Sequence, residues 1–96
     1  MNITVNEFIK KLENENMNLI DIRDQIQYQN GTIGDAINIP VNTLLADYNR
    51  YLNRNEKYYI FCNYGSTSPR LCSFLSNHGY NVVNLVGGYQ AYKNNI

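Results

Sequence analysis

Tyr58-Tyr59-Ile60-Phe61-Cys62-Asn63-Tyr64-Gly65-Ser66-Thr67-Ser68-Pro69 is the stretch on which the reading of this chain turns. Its first four residues are β-formers without polar alternation, the pattern of a strand covered on both faces. The run ends on Cys62, and a turn-prone segment follows. Ser68 then offers an N-cap and Pro69 a first helical residue. The helix this predicts covers Arg70 to His78, with Leu71, Cys72, Phe74 and Leu75 on its apolar side and Gly79 at its C′ position. Cys62 is thereby expected at the carboxyl end of a strand, facing loop amides and the positive end of a helix. Both favour a negative sulfur, and such surroundings lower a cysteine pKa from about 8.5 into the range ~3.5–7.5. A nucleophile is one reading of Cys62, and an apolar residue that ends a strand is the other.

Working outward, Thr4 and Glu7 form a capping-box pair that predicts a helix from Val5 to about Glu15, with Val5, Phe8, Ile9 and Leu12 on one face. Ile3 adds a short edge strand before it. Met17 to Ile22 reads as a second strand, stopping at Asp21-Ile22-Arg23. Asp24 caps a helical turn carrying Ile26 and Tyr28, which Asn30-Gly31 breaks. A third strand is predicted over Ala36 to Ile39, ended by Pro40. Asn42 is expected to cap a single helix over Thr43 to Tyr51, with Leu44, Leu45, Tyr48 and Leu52 inward. After a polar connector (Asn53 to Lys57) and the stretch already quoted, Val82 to Val86 forms the fifth strand. Gly87-Gly88 makes a turn, and Tyr89 to Asn95 a last helix. Strands alternating with helices imply parallel crossovers and helices on both faces of a sheet. Ligands of such sheets bind at the carboxyl ends of the strands. Asp21-Arg23, Pro40, the Cys62 loop and Gly87-Gly88 all fall on that edge.

The totals bound the alternatives. At 96 residues and 44% hydrophobic composition, one globular domain over 1–96 is expected. Eight basic residues balance eight acidic ones, so no charge field points to nucleic acid or an anionic membrane. No apolar run approaches the ~20 residues of a membrane span. Two cysteines without a signal-peptide pattern make no disulfide framework, which favours a cytoplasmic, reducing location. Gly87-Gly88 lacks the spacing of a dinucleotide fingerprint.

Taken together, the motifs resemble the single-domain rhodanese-like sulfurtransferases. Leu19-Ile20-Asp21-Ile22-Arg23 is similar to that family's first signature, and Tyr28 through Pro40 to its "E-[FY]-x-x-G-H-I-P-G-A-x-N-I-P" segment. Cys62-x-x-Gly65-x-x-Ser68 matches the active loop. Gly79-Tyr80, Val83 and Leu85-Val86-Gly87-Gly88-Tyr89 resemble the closing pattern, with Tyr92 where the family often has Trp. Together these cover about residues 3 to 93 in order. The resemblance implies an α/β fold with a five-stranded, mainly parallel sheet and helices on both faces. It also implies a persulfide on Cys62, taken from a small sulfur donor and passed to a thiol, to cyanide or to a protein acceptor. The loop from Asn63 through Tyr64, Gly65, Ser66 and Thr67 to Ser68 would cradle that sulfur. No metal or organic cofactor is implied.

The departures from the family pattern fall around that loop. Thr67 stands where the family usually carries Arg, and the nearest cation is Arg70 in the first turn of the helix. An arginine there would bind thiosulfate through paired charge-assisted hydrogen bonds, so thiosulfate as the natural donor does not follow. Gln27 replaces an acid, which removes an ion-pair partner for Arg23. Thr32 replaces the histidine, and Gly34-Asp35 replaces Pro-Gly. Asp21 and Arg23 fit either support of the donor or ion pairing between loops. Arg70 fits either anion steering or an ordinary exposed side chain. Cys72 reads as core filler against a resolving thiol, and His78 as a helix-end residue against a base. A thiolate phosphatase or arsenate reductase needs Cys-x5-Arg, and position 68 is Ser. A catalytically quiet binding or sensing module is the alternative from outside enzymology.

Overall fold

The computed structural model describes residues 1–96. Its sheet comprises β1 (Asn2–Ile3), β2 (Asn18–Asp21), β3 (Ile37–Asn38), β4 (Lys57–Phe61) and β5 (Asn81–Leu85). The spatial order is β1-β5-β4-β2-β3 and every neighbouring pair is parallel. Five helices join the strands, α1 (Val5–Asn14), α2 (Gln25–Gln29), α3 (Val41–Ala46), α4 (Tyr48–Tyr51) and α5 (Ser68–Asn77), and α6 (Gly88–Asn94) follows the last strand.

Strand periodicity divides the core in two. Ile20, Ile22, Ile60, Cys62 and Val82 pack against Leu44, Leu71, Cys72 and Leu75 from α3 and α5. Leu19, Tyr59, Phe61, Val83 and Leu85 face the other way, towards Phe8 of α1 and the Tyr89 and Tyr92 rings of α6. Residues two apart along a strand share a face, so β4 from Tyr59 and β5 from Val82 are buried on both sides, with Asn84 the one polar residue in those stretches. The central strand β4 lies between β2 and β5, and the polypeptide after it crosses from one half of the sheet to the other. That is the position where open α/β sheets leave a crevice.

Most expected elements are present, with local differences that have physical causes. The helix expected over Thr43 to Tyr51 is two helices, broken at Asp47, whose φ of −154° and ψ of 46° lie outside the helical region. Pro40, not Asn42, precedes the first of them, because Pro40 fits the residue before a helix and Asn42 lies inside it. Leu44 and Leu52 are buried as expected, whereas Leu45 is 40% exposed, one residue round the helix from Leu44. The third strand shortens to Ile37–Asn38, although Ile39 N–H still donates to the Asp21 carbonyl (3.0 Å) and Val41 N–H to that of Ile22 (3.1 Å). At the start of α1, Thr4 Oγ1 accepts from Glu7 N–H (3.3 Å) and donates to Glu7 Oε1 (3.0 Å), so the returning arm of the capping box ends on the hydroxyl.

Phe8 is fully buried and meets Tyr59 and Tyr92 edge-on at centroid distances of 6.2 and 6.3 Å. Phe8→Ala is expected to destabilise the fold by about 3–5 kcal/mol in urea unfolding. Ile26→Ala, at a side chain 72% exposed, should stay within about 0.5 kcal/mol of wild type.

Candidate active site

Cys62 directly follows β4, and its side chain is largely buried under the loop that leads into α5. The loop bends back over the sulfur. Gly65 N–H donates to Cys62 Sγ at 3.2 Å and Ser68 N–H at 3.4 Å, while the Ser68 hydroxyl lies 3.3 Å away. Burial by itself pushes the thiol pKa up. The Ser68 hydroxyl and the amides of Ser68, Thr67 and Gly65 outweigh burial and hold it below the ordinary thiol range. Cys72, on α5 in the core between that helix and the sheet, has no such donors, and burial pushes its thiol up to about 12. It is a neutral core residue at physiological pH.

The loop holds this shape because a second loop braces it. Gly65 has φ +85°, and a Cβ there would meet Gly87 N at 2.8 Å. Gly88 has φ +64°, and its Cβ would lie 2.5 Å from the Cys62 carbonyl oxygen. Both positions therefore combine a left-handed backbone with a close approach that excludes side chains. The closeness lets α6 grip the strand end: Tyr89 N–H donates to Cys62 O (2.8 Å) and Gln90 N–H to Asn63 O (2.9 Å). Gln90 Nε2 also donates to Asn63 Oδ1 (3.0 Å).

A shallow pocket of about 190 Å³ opens onto the sulfur, lined by Ile22, Arg23, Asp24, Gln27, Val41, Cys62, Asn63 and Thr67. Arg23 does not bring a free charge to it. Its Nε and Nη2 form a two-pronged pair with Asp21, the shortest contact being 2.7 Å. Nη2 also donates to the Gly31 carbonyl (2.6 Å), and the guanidinium lies 4.0 Å from the Tyr89 ring centroid. The loss of an acid at Gln27 thus leaves Arg23 paired, because Asp21 supplies the carboxylate. Thr32, in the place of a histidine, donates its hydroxyl to Asp21 Oδ2 (2.8 Å). Arg70 is exposed and makes no ion pair. It lines a neighbouring cleft with Val41, Leu45, Ser66, Thr67 and Phe74, which adjoins the Cys62 pocket through Val41 and Thr67.

Of the expected loop residues, Gly65, Thr67 and Ser68 bring backbone donors to the sulfur. Asn63 is tied to α6, and Tyr64 and Ser66 are exposed on the outside of the loop. Ser68 is not the helix cap that its sequence position suggests. Thr67 holds that place, and Ser68 is the first helical residue with its fully buried side chain turned to the sulfur. Asn84 is the residue that sequence reasoning missed. It is a buried amide in an apolar strand, and its Oδ1 accepts from the Ser68 hydroxyl at 2.5 Å. The available signal was one polar residue two positions after Val82 on the same face.

These surroundings predict two very different thiols. Iodoacetamide should alkylate one cysteine per folded chain quickly at neutral pH, and peptide mapping should place it on Cys62. Because the amides favour the thiolate, the rate should rise with pH to a plateau whose midpoint lies below the free-thiol value of about 8.5. Cys62→Ser should leave no fast-reacting thiol in the folded protein.

Comparison with known proteins places the fold. The Rhodanese-like domain family matches residues 4–95. A thiosulfate sulfurtransferase of Shewanella oneidensis is 28% identical over 91 residues, covering 94% of this chain and 89% of that protein. A sulfurtransferase of Allochromatium vinosum is 30% identical over 81 residues, covering 83% of this chain and 75% of its own length. Among solved structures, a Staphylococcus saprophyticus protein superposes with a TM-score of 0.87 at 36% identity, covering 95% of this chain and 91% of that one. With the α/β sheet, the cysteine after its central strand and nearly its whole length matched, this chain belongs to the rhodanese-like domain family.

Proposed function

We propose that this chain is a sulfurtransferase or sulfane-sulfur carrier that holds the transferred sulfur as a persulfide on Cys62, with residues 1–96 acting as one domain. The observation that carries the reading is the convergence of Gly65 N–H and Ser68 N–H on one sulfur, with the Ser68 hydroxyl oxygen 3.3 Å from it. In the first half-reaction the Cys62 thiolate attacks the outer sulfur of a donor. The donor's sulfur–sulfur bond breaks, its electron pair leaves with sulfite or a thiolate, and Cys62–S–S⁻ remains. In the second half-reaction a thiol, cyanide or a protein thiol attacks the terminal sulfur, and the Cys62 thiolate leaves. The loop from Asn63 to Ser68 lines the sulfur, and its amides stabilise negative charge at both stages. Asp21 and Arg23 support the pocket wall, and Arg70 stands beside the entrance.

The test is intact-mass spectrometry after exposure to several sulfur donors, followed by peptide mapping. One added sulfur is expected on Cys62 and none on Cys62→Ser. Loading that persists in Cys62→Ser, or that disappears in a folded Cys72→Ser, overturns the assignment.

Donor preference follows from the charges at the pocket. Thiosulfate is a dianion, Arg23 is neutralised by Asp21, and Thr67 offers only a hydroxyl. A charge-assisted hydrogen bond contributes on the order of 1.5–3 kcal/mol. Where it strengthens at the transition state, that corresponds to about ten- to a hundredfold in kcat/KM. Thr67→Arg is therefore expected to raise kcat/KM for thiosulfate by about that factor and to change a low-molecular-weight persulfide donor much less. Equal gains with both donors would refute the charge argument, as would a wild type that already prefers thiosulfate and keeps that preference in Arg70→Ala.

A further inference from the structure

Ser68 is asked to do two things with one hydroxyl proton. Asn84 Oδ1 can only accept, so at 2.5 Å the Ser68 hydroxyl donates to it, which leaves the Cys62 thiol to donate to Ser68 Oγ (3.3 Å). Asn84 Nδ2 then donates to Asn2 Oδ1 (3.1 Å). This line of donors runs away from the sulfur and suits a protonated Cys62. A thiolate needs the opposite direction, because the Ser68 hydroxyl stabilises it only by donating to Sγ. Turning that hydroxyl leaves Ser68 Oγ facing Asn84 Oδ1, two acceptors at hydrogen-bond distance with no proton between them, both buried. Such a pair is costly.

A carboxamide resolves the conflict, since rotating it by half a turn exchanges its acceptor for a donor without changing its shape. Asn84 then donates Nδ2–H to Ser68 Oγ and presents Oδ1 to Asn2. Asn2 pairs directly with Asn84 across β1 and β5, and it is exposed, so its own amide can turn in contact with water. We propose that Asn84 is a positioning residue whose carboxamide inverts with the state of Cys62, accepting from Ser68 beside the thiol and donating to Ser68 beside the thiolate. The proton lost by Cys62 goes to water through the pocket mouth; Ser68 and the two asparagines reorient without gaining or losing protons.

The inference rests on the reading of Cys62 as the reactive thiol, yet it concerns a neutral relay that can be observed by itself. The titratable groups around Cys62 and the relay are Arg23 and Asp24 from the segment after β2, Cys72 from α5, and the N-terminal ammonium of Met1, whose charge reaches Cys72 and whose carbonyl accepts from Asn84 N–H (2.9 Å). Arg23 is fixed by Asp21 and covered by Tyr89 of α6. Val41 of α3 and Asn84 of β5 bring no charge to the sulfur.

The experiment is a pH titration of the full chain by NMR, following the side-chain amide of Asn84 alongside the ultraviolet absorbance of the Cys62 thiolate. In wild type, the Asn84 amide signals should shift with the same midpoint as Cys62. In Ser68→Ala, which removes the connecting hydroxyl, that shift should be lost while Cys62 still titrates. Asn84→Asp provides a second test, since a carboxylate only accepts and locks the Ser68 hydroxyl away from the sulfur. It should raise the Cys62 midpoint by about one unit or more, and by less when Ser68 is also Ala. Asn84 signals that stay flat in wild type overturn the relay. So does a shift of the same size in Ser68→Ala, which would be a through-space effect of the charge. Sulfur loading on Cys62 is scored separately, so a failed relay leaves the sulfurtransfer reading standing, and a protein that loads no sulfur can still show the relay.

Discussion

A contact between two backbones sets the geometry on which the rest of the site depends. Gly88 passes so close to the Cys62 and Asn63 carbonyls that no side chain fits between them, and Gly65 meets Gly87 in the same way. From that contact, α6 reaches over with Tyr89 N–H and Gln90 N–H and holds the end of β4. The loop from Asn63 to Thr67 is thereby short, braced from behind and folded over Cys62. Its amides reach the sulfur because the chain has nowhere else to go. The backbone amides of Gly65 and Ser68, fixed in this way, need no reorganisation when charge appears on the sulfur, which is the property that makes such sites effective.

The charges nearby are arranged to leave that cradle as the main source of stabilisation. Arg23 is the cation nearest the pocket wall, and its Nε and Nη2 are taken by Asp21 and the Gly31 carbonyl, with Tyr89 covering its face. Breaking such a buried pair by removing one partner commonly costs about 3–5 kcal/mol. Its role is therefore to hold the turn after β2 against α6 and shape the pocket wall. Arg70, which has no carboxylate partner, opens onto the adjoining cleft. The polar chain Ser68–Asn84–Asn2 supplies the remaining contact to the sulfur from within the sheet.

The parts of this arrangement that were legible in the sequence are those written in local patterns. The apolar run before Cys62, the Pro69 helix start and the alternation of strands and helices placed the cysteine at the carboxyl edge of a parallel sheet, where it lies. Residues whose role depends on distant partners were not legible. Ser68 has the side chain of a cap, and only the fold shows Asn84 drawing it towards the sulfur. Asp21 and Arg23 pair with each other because the Asp21 carboxylate accepts from the Arg23 backbone N–H and the Arg23 side chain folds back onto it, which no spacing rule for helices or strands encodes. The break at Asp47 and the exposure of Leu45 beside buried Leu44 likewise have no local signal in the sequence.

The central claim is that the amide-cradled sulfur of Cys62 carries a transferable sulfur atom. Its most direct measurement is a single-turnover discharge: protein loaded with a sulfur donor, freed of excess donor and mixed with cyanide. The account predicts about one equivalent of thiocyanate per chain from wild type, formed as the added sulfur leaves Cys62, and none from Cys62→Ser. No thiocyanate from loaded wild type, or an equal yield from Cys62→Ser, would contradict it.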